Sequence, residues 1–269
     1  MTLWQALVLG VVEGITEFLP VSSTGHLLLA ERALGIESSD AADAYAICIQ
    51  AGAIAAVLGL YRDRVLQMGR GVLGRDADGR RLLVQLGVAF VPAAVLGLAF
   101  DDTIDALLFG LWPVVAAWVA GGVAILVIGR REGTRALEAL DLRTAFLIGC
   151  FQCLALWPGT SRSLATIMGA VLLGVALPAA VEFSFLLGLV TLGAATAYSG
   201  LKHGDEMWAT FGPGPLAVGF ASAALSAAFA VKWLVSWLQR HGMGIFAGWR
   251  LGLAAVVAAL LWGGVIPAR

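Results

Sequence analysis

The chain has 269 residues, of which 60% are hydrophobic and 13% are charged, and its formal net charge is −1. Its mean hydropathy is +0.90. Soluble domains are about half apolar and about a quarter charged, and a soluble fold of this length leaves too much surface exposed to hide so many apolar side chains. The composition therefore excludes an ordinary soluble domain and predicts an all-α protein that crosses a membrane several times.

The first apolar stretch, residues 2–19, does not fit a simple membrane span. It ends at Pro20, which is followed by a hydroxyl-rich turn and the short apolar segment HLLLAERALG. Proline ends a helix because it lacks an N–H and clashes with the preceding turn. Irregular backbone at membrane depth is tolerated only inside protein or beside a wet cavity. We therefore expect a re-entrant hairpin with a half-helix, a polar tip and a return helix.

Later apolar stretches continue this pattern. Crossing a bilayer takes about 20 apolar residues, and three such stretches come next, at residues 41–61, 82–100 and 106–128. Residues 144–157 are then interrupted at Pro158, and the turn PGTSRS leads into LATIMGAVLLGVALPAA, which predicts a second re-entrant hairpin. Three more spans are predicted at residues 181–201, 215–238 and 251–267.

The connections between these spans alternate in charge. The segments RDRVLQMGRGVLGRDADGRR and RREGTRALEALDLR carry six and four arginines. By contrast, DDTID has no basic residue and KHGDEMWATFGPG has only Lys202. The positive-inside rule therefore predicts that both arginine-rich segments are cytoplasmic, together with Arg240 and Arg250 in the last connection.

The two hairpins also resemble each other. FLPVSSTGH and LWPGTSRSL align without a gap at an offset of 138 residues, which pairs Pro20 with Pro158 and Ser23 with Ser161. Because three spans lie between the hairpins, the two copies would enter the membrane from opposite faces. We expect one membrane domain, residues 1–269, with six transmembrane helices and two re-entrant helical hairpins in an inverted-topology repeat of halves 1–128 and 144–269. Sites in such folds form near the midplane where broken helices meet.

Glu13 and Glu17 lie one helical turn apart in the first half-helix and share a face. Two buried carboxylates repel each other, and a charge at the bilayer centre costs about 2.5–3.5 kcal/mol on insertion scales. Protonation, an arginine partner or a divalent cation would relieve that cost, unless the helix lies at the membrane surface with both side chains in water. Mg²⁺ is usually held by one or two carboxylates and substrate phosphates, so the pair is a candidate site for Mg²⁺ or Ca²⁺.

Three hydroxyl residues, Ser22, Ser23 and Thr24, follow Pro20 at the start of the first return helix. Such residues commonly cap helices, and the free N–H groups of a helix start also bind anions. The turn therefore either only caps the return helix or binds phosphate as well. His26, one turn further on, is a candidate proton shuttle or nucleophile.

Arg162 is the only basic residue between Arg143 and Lys202, and it lies at the tip of the second hairpin. Arginine within a membrane is a functional hypothesis by default, and its natural partners are carboxylates and phosphate. Arg162 can neutralise the glutamate pair, clamp a diphosphate, or do both. Further hydroxyl donors lie around it, at Thr160, Ser161, Ser163 and Thr166.

Both segments resemble the signature motifs of a known family. EGITEFLPVSSTGH and PGTSRSLAT are similar to those of the bacterial undecaprenyl-diphosphate phosphatase family, which is linked to bacitracin resistance. The resemblance extends along essentially the whole chain. It implies an inner-membrane enzyme that hydrolyses the polyprenyl diphosphate lipid undecaprenyl diphosphate, uses Mg²⁺ or Ca²⁺, forms a homodimer and has a site open to the extracytoplasmic side. No nucleic-acid partner is expected.

The resemblance also implies roles for individual residues. Glu13 and Glu17 match the acidic pair that binds metal or positions water, and Ser23 and His26 match the nucleophile and its base. The substrate-binding positions are Arg162, Ser161, Ser163 and Thr166, with Ser22 and Thr24 beside them. The alternatives for the nucleophile are His26 or a water activated by a glutamate. This sequence departs from the family at Leu164, where glycine is usual, and at Trp157, where a smaller aliphatic residue is common.

Proteins of other classes share parts of this pattern. A transporter or flippase would also combine an inverted repeat with broken helices, but it would move its substrate without releasing phosphate. Lipid phosphatases of the vanadium-haloperoxidase-like type carry PSGH followed by SR-x5-H-x3-D, and here Met168 stands at the position of that histidine. A purely structural scaffold would leave the acid pair, His26 and Arg162 unexplained.

Overall fold

A computed structural model describes residues 1–36, 39–108, 110–129, 131 and 133–267. In these ranges the chain forms eleven α-helices and no β-strand, apart from an isolated bridge between Arg135 and Val175. The helices are α1 (Leu3–Glu17), α2 (Ser23–Ala33), α3 (Asp40–Leu60), α4 (Arg62–Val72), α5 (Ala77–Leu108), α6 (Leu111–Ile128), α7 (Leu142–Gln152), α8 (Arg162–Leu172), α9 (Leu177–Phe211), α10 (Pro213–Leu238) and α11 (Gly244–Trp262). Short 3₁₀ turns lie at Leu137–Ala139 and Cys153–Leu156.

Five of these helices are long and apolar enough to cross a membrane, namely α5, α6, α9, α10 and α11. Helices α3 and α4 form a pair bent by 83°, which counts as a sixth candidate if the pair is one span. The prediction of an all-helical protein with several membrane-spanning helices is therefore confirmed. Phe109, within the predicted span 106–128, and Arg130, within the second arginine-rich segment, lie outside the described residues.

The predicted spans 82–100 and 181–201 end at, or one residue before, the ends of the candidate membrane spans, Phe100 and Lys202, but both helices continue beyond these ends. The acidic segment DDTID continues α5, which runs to Leu108 after non-helical torsion angles at Phe100. Helix α9 likewise continues past Lys202 as far as Phe211. Bilayer thickness limits only the apolar part of a helix, whereas backbone hydrogen bonding extends the helix until a stop signal. For α9 that signal is Gly212, with φ of 69°.

The first arginine-rich segment was expected to be a connection, but it contains the helix α4. Glycines let α4 lie close against the start of α5, because a Cβ on Gly71 would overlap the backbone of Arg80 and one on Gly79 would overlap that of Gln67. Asp76 caps the start of α5, accepting from the Gly79 N–H at 2.8 Å. That hydrogen bond lowers the pKa of Asp76 below its usual range.

The last predicted span, 251–267, lies too far toward the carboxyl end compared with the helix in the structure. Helix α11 begins at Gly244 and ends at Trp262. Arg250 was predicted to lie in the preceding connection, but it lies inside α11 and is 0% exposed. The apolar residues before it, GIFAGW, extend the helix by almost two turns.

Two helix–turn–helix hairpins, α1 with α2 and α7 with α8, match the predicted interrupted stretches. Each return helix begins after a serine in the left-handed region, Ser22 with φ of 78° and Ser161 with φ of 74°. Positive φ is uncommon for residues other than glycine, so these two serines mark equivalent positions. The gapless pairing of Ser23 with Ser161 is therefore wrong by one residue, because the second turn has an extra residue between its proline and its cap. Ser23 and Arg162 are each the first residue of a return helix.

Small residues bring the first hairpin against α10. A Cβ on Gly10 would overlap Ser222 and the backbone of Gly219, and one on Gly14 would overlap Ser226 and the backbone of Ala223. Close approach through small residues is the usual way in which helices associate inside a membrane. This contact sets the depth and rotation of α1, and with them the positions of its two glutamates.

Candidate active site

The first hairpin carries Glu17 and Ser23 on either side of its turn. Glu17 is the last residue of α1 and Ser23 is the first residue of α2, and both side chains are buried. The Ser23 hydroxyl donates a hydrogen bond to Glu17 Oε2 at 2.5 Å. Such a short contact is typical of a hydroxyl bound to a charged carboxylate, which can accept its proton.

Arg162, at the tip of the second hairpin, reaches the same glutamate. Its Nη2 donates to Glu17 Oε1 at 3.1 Å, and its Nη1 donates to the Ser184 carbonyl at 2.9 Å. The guanidinium lies 5.4 Å from the centre of the Phe18 ring. A Cβ on Gly188 would overlap this guanidinium, so the glycine in α9 provides the space for it. The two motifs, 145 residues apart in sequence, thus meet in one buried ion pair.

Hydroxyl groups of the second hairpin also bind the first. Ser163 Oγ donates to the Leu19 carbonyl at 3.0 Å, and Ser161 Oγ lies 3.4 Å from the same oxygen. Thr166 turns toward α9, where its hydroxyl lies 2.7 Å from that of Ser184. In this structure, then, the hydroxyls predicted to bind substrate join the hairpins to each other and to α9.

Glu13 differs from Glu17 in its surroundings. It is 0% exposed, and within the described part of the chain neither of its carboxylate oxygens has a hydrogen-bond partner. Buried polar atoms are normally paired, so an orphaned carboxylate needs an explanation such as an ion or a proton. No group of three or more His, Cys, Asp or Glu side chains that could hold a metal occurs among the described residues. A pair of carboxylates nevertheless fits Mg²⁺, which takes its other ligands from water and substrate phosphates.

His26 is held through both ring nitrogens. Nδ1 lies 2.6 Å from the Ser22 carbonyl, and Trp249 Nε1 donates to Nε2 at 3.0 Å. Because a carbonyl only accepts and an indole N–H only donates, these partners assign the proton to Nδ1 and the lone pair to Nε2. The hydrogen bonds of the described residues join Ser23 to Glu17 and do not join it to His26.

The remaining predicted positions have different surroundings. The Ser22 side chain is buried but makes no capping hydrogen bond, whereas Thr24 is exposed. Leu164, the departure from the usual glycine, is 3% exposed in the main hydrophobic core, and its backbone N–H donates to Ser161 Oγ at 3.3 Å. Trp157, the second departure, donates from Nε1 to the Pro113 carbonyl of α6 at 3.1 Å. Both departures therefore contribute to packing of the second hairpin.

Two residues of α11 were missed by the sequence reasoning. Trp249 contacts His26, and the neighbouring Arg250 donates to the turns of both hairpins. The available signal was the position of an arginine between two apolar segments, GIFAGW and LGLAAVVAALLW. A helix drawn through both segments would have placed Arg250 inside the membrane.

Comparisons with a family model and with curated proteins point to the same family. The model of the family described as Bacitracin resistance protein BacA matches residues 6–256. Undecaprenyl-diphosphatase 1 of Chromobacterium violaceum is 43% identical over 267 residues, which cover 98% of each chain. The undecaprenyl-diphosphatase of Nitrosomonas europaea is 42% identical, covering 99% of this chain and 97% of its own. That of Sorangium cellulosum is 43% identical, covering 96% and 85%. The chain therefore belongs to the bacitracin resistance protein BacA family.

Proposed function

We infer that this chain hydrolyses undecaprenyl diphosphate to undecaprenyl phosphate and inorganic phosphate, and so recycles the lipid carrier of cell-wall synthesis and confers bacitracin resistance. The observation that carries this inference is the meeting of the two motifs at Glu17, which accepts hydrogen bonds from both Ser23 and Arg162. A carboxylate, a hydroxyl and a guanidinium in one buried contact suit phosphoryl transfer. The curated relatives named undecaprenyl-diphosphatase support the same activity.

The turn of the second hairpin binds the diphosphate of the substrate. The guanidinium of Arg162 presents a planar fork of N–H donors, which matches the oxygens of a phosphate group. The starts of α2 and α8 add free backbone N–H groups, and helix N-termini favour anions. An incoming diphosphate competes with Glu17 for the guanidinium, so binding of substrate loosens the ion pair and frees the carboxylate.

Ser23 is the proposed nucleophile, and Glu17 is the proposed acceptor of its proton because it already holds that hydroxyl at 2.5 Å. Attack forms a bond between Ser23 Oγ and the terminal phosphorus and breaks the bond from that phosphorus to the bridging oxygen. Undecaprenyl phosphate leaves and takes with it the proton that Glu17 accepted from Ser23. Water then attacks the phosphoserine, inorganic phosphate is released, and one water proton returns to Ser23 Oγ. His26 holds Ser22 in place through Nδ1 and can act as an acid or base through Nε2.

Glu13 and Glu17 are the proposed ligands of a divalent cation, Mg²⁺ or Ca²⁺. The support is the buried Glu13 carboxylate, whose oxygens have no hydrogen-bond partner among the described residues. When bound, such an ion neutralises charge on the diphosphate.

The proposed topology places α3, α5, α6, α9, α10 and α11 across the inner membrane. The hairpin α1–α2 then enters from the extracytoplasmic side and α7–α8 from the cytoplasmic side, as an inverted repeat. Contacts between the two arginine-rich segments support a common face, because Arg64 binds Glu138 at 3.0 Å and Arg81 donates to the Leu140 carbonyl at 3.0 Å. The site is proposed to open to the extracytoplasmic side, and a homodimer remains a prediction from the resemblance.

The direct test measures phosphate release from undecaprenyl diphosphate by purified protein in detergent, with Mg²⁺ or Ca²⁺ and with chelator. We expect release with either or both cations, loss of release in chelator, and a raised metal requirement for Glu13→Gln. A readout that does not depend on turnover is the shift in thermal unfolding on adding metal, which Glu13→Gln should reduce. Movement of the lipid across vesicles without phosphate release would instead indicate a transporter. Full release in chelator would remove the cation from the proposal.

A further inference from the structure

Arg250 is a fully buried arginine that the proposed chemistry does not use. It lies in α11 and is 0% exposed, and within the described ranges it forms no ion pair. Its guanidinium donates instead to four backbone carbonyls, at 2.8 Å to Ala117, 2.9 Å to Gly159, 3.3 Å to Trp118 and 3.4 Å to Pro20. Burying a charge is costly unless it is well hydrogen-bonded, so the guanidinium is stable here only while these carbonyls surround it.

Two of the four carbonyls belong to equivalent positions of the two hairpins. Pro20 lies three residues before Ser23, and Gly159 lies three residues before Arg162. Ser23 and Arg162 are the first residues of their return helices. Carbonyls in turns lack the helical partners that would satisfy them. One guanidinium therefore binds equivalent carbonyls of both turns, each three residues before a residue of the proposed active site.

We propose that Arg250 is a positioning residue, which holds the two hairpin turns at the separation where Ser23 and Glu17 meet Arg162. The other two carbonyls, in α6, anchor the guanidinium to a helix outside both hairpins. The hydroxyls of Ser161 and Ser163 join the turns at a separate point, the Leu19 carbonyl. Loss of Arg250 therefore leaves the hairpins in contact but allows their spacing to change.

A glycine on α6 offers a way to disturb this contact without replacing the arginine. A Cβ on Gly121 would overlap Nη2 of Arg250, so Gly121→Ala must displace the guanidinium from its carbonyls. Arg250→Lys is the complementary change, because an ammonium has three donors and lacks the planar fork that spans several acceptors. Gly252→Ala is a matched control, since that glycine is exposed on α11 and a Cβ there meets nothing within 4 Å. The exposed Arg240 gives a second control, Arg240→Lys.

The experiment measures kcat, KM and thermal unfolding for these variants with undecaprenyl diphosphate as substrate. A misplacement of about 1 Å can cost about 10²-fold in rate. We expect kcat per folded protein to fall by about that factor in Arg250→Lys and in Gly121→Ala, with KM much less affected. Both controls should retain wild-type kcat. The double variant Gly121→Ala/Arg250→Lys should have a kcat only slightly below that of either single variant, because both changes act through one guanidinium.

Two outcomes would overturn the positioning role: wild-type kcat in folded Arg250→Lys and Gly121→Ala, or a loss of activity that only follows the loss of folded protein. If Arg250→Lys does not fold, Gly121→Ala decides alone. The inference rests on the proposed phosphatase activity. The assay distinguishes failure of the proposed function from failure of the positioning role of Arg250. A wild-type protein that releases no phosphate refutes the proposed function, whereas an active wild type with unaffected variants refutes only the role of Arg250.

Discussion

Glu17 and Glu13 lie one helical turn apart but have different hydrogen-bonding surroundings. Both oxygens of Glu17 are engaged, one by Arg162 at 3.1 Å and one by Ser23 at 2.5 Å. Neither oxygen of Glu13 has a partner in the described structure. Glu17 thus joins the two hairpins, and removing its charge leaves Arg162 buried without a carboxylate, which typically costs about 3–5 kcal/mol. Glu13 is the carboxylate that we propose as a ligand of the divalent cation.

The assignment of Ser23 as nucleophile predicts that replacing Ser23 reduces phosphate release more than replacing His26 does. Ser23→Ala should abolish phosphate release, because no oxygen remains to attack phosphorus. His26→Ala should lower kcat by about 10²–10⁴-fold, the usual contribution of a general acid or base. Steady-state phosphate release from folded protein measures both.

Ser236→Ala, which changes an exposed serine near the end of α10, is the control and should behave as wild type. Trapping of labelled phosphate on wild type and its absence on Ser23→Ala would strengthen the assignment. If Ser23→Ala kept most of its turnover while His26→Ala lost it, histidine or water would be the nucleophile instead.

At the scale of the elements, each hairpin is positioned by the helix that packs along it. Helix α1 lies against α10 through Gly10 and Gly14, and Ser226 of α10 donates to the Gly10 carbonyl at 3.4 Å. Gly14 directly follows Glu13, so the distance between α1 and α10 at this glycine determines where the two carboxylates lie. The left-handed Ser22 and Ser161 then reverse the chain and direct both return helices toward the shared site.

Gly14→Ala should therefore disturb both stability and activity. Its Cβ would overlap the Ala223 carbonyl, which is backbone and cannot rotate away. Overpacking of this kind costs typically about 1–3 kcal/mol, and the shift of α1 should lower kcat as well. Thermal unfolding and phosphate release measure the two effects.

The matched control is Gly87→Ala on α5, an exposed helical glycine at which a Cβ meets nothing within 4 Å. It should keep its activity and be at least as stable as wild type, because alanine favours helix over glycine. A Gly14→Ala protein with unchanged unfolding temperature and kcat would show that α1 and α10 are not closely packed.

At the scale of the whole molecule, packing brings the two arginine-rich segments to the same face, as the charge pattern predicts. The arginine-rich α4 segment contacts the segment before α7, and Arg64 also binds Glu182 of α9 at 2.6 Å. Contacts of this kind require both segments to lie on one side of the membrane. The positive-inside rule predicts that this side is the cytoplasmic one.

The proposed topology predicts opposite labelling of two exposed positions, Arg75 after α4 and Thr210 near the end of α9. In a background without Cys48, Cys150 and Cys153, a membrane-impermeant thiol reagent on intact cells should label Thr210→Cys and not Arg75→Cys. After permeabilisation both should react. Labelling of Arg75→Cys in intact cells would reverse the orientation, and equal labelling of both would refute the odd number of crossings between them.

Local patterns were enough to predict much of this protein. Hydropathy is a property of each segment, so the apolar helices and the two interrupted stretches could be recognised one at a time. The spacing of Glu13 and Glu17 follows from the helical repeat. The isolated Arg162 pointed to a carboxylate partner because a lone charge is costly in a membrane, and the structure pairs it with Glu17.

Tertiary structure decided what depends on contacts between distant segments. The partner of Ser23 is Glu17 rather than His26, whose Nδ1 lies 2.6 Å from the Ser22 carbonyl instead. The equivalence of Ser22 with Ser161 became visible only in backbone torsion angles, because a one-residue difference in turn length is invisible to a gapless alignment. Arg250 gains its role from carbonyls of Pro20 and Gly159, which lie 230 and 91 residues away. Backbone carbonyls occur at every residue, so no sequence pattern marks the ones that a buried guanidinium will bind.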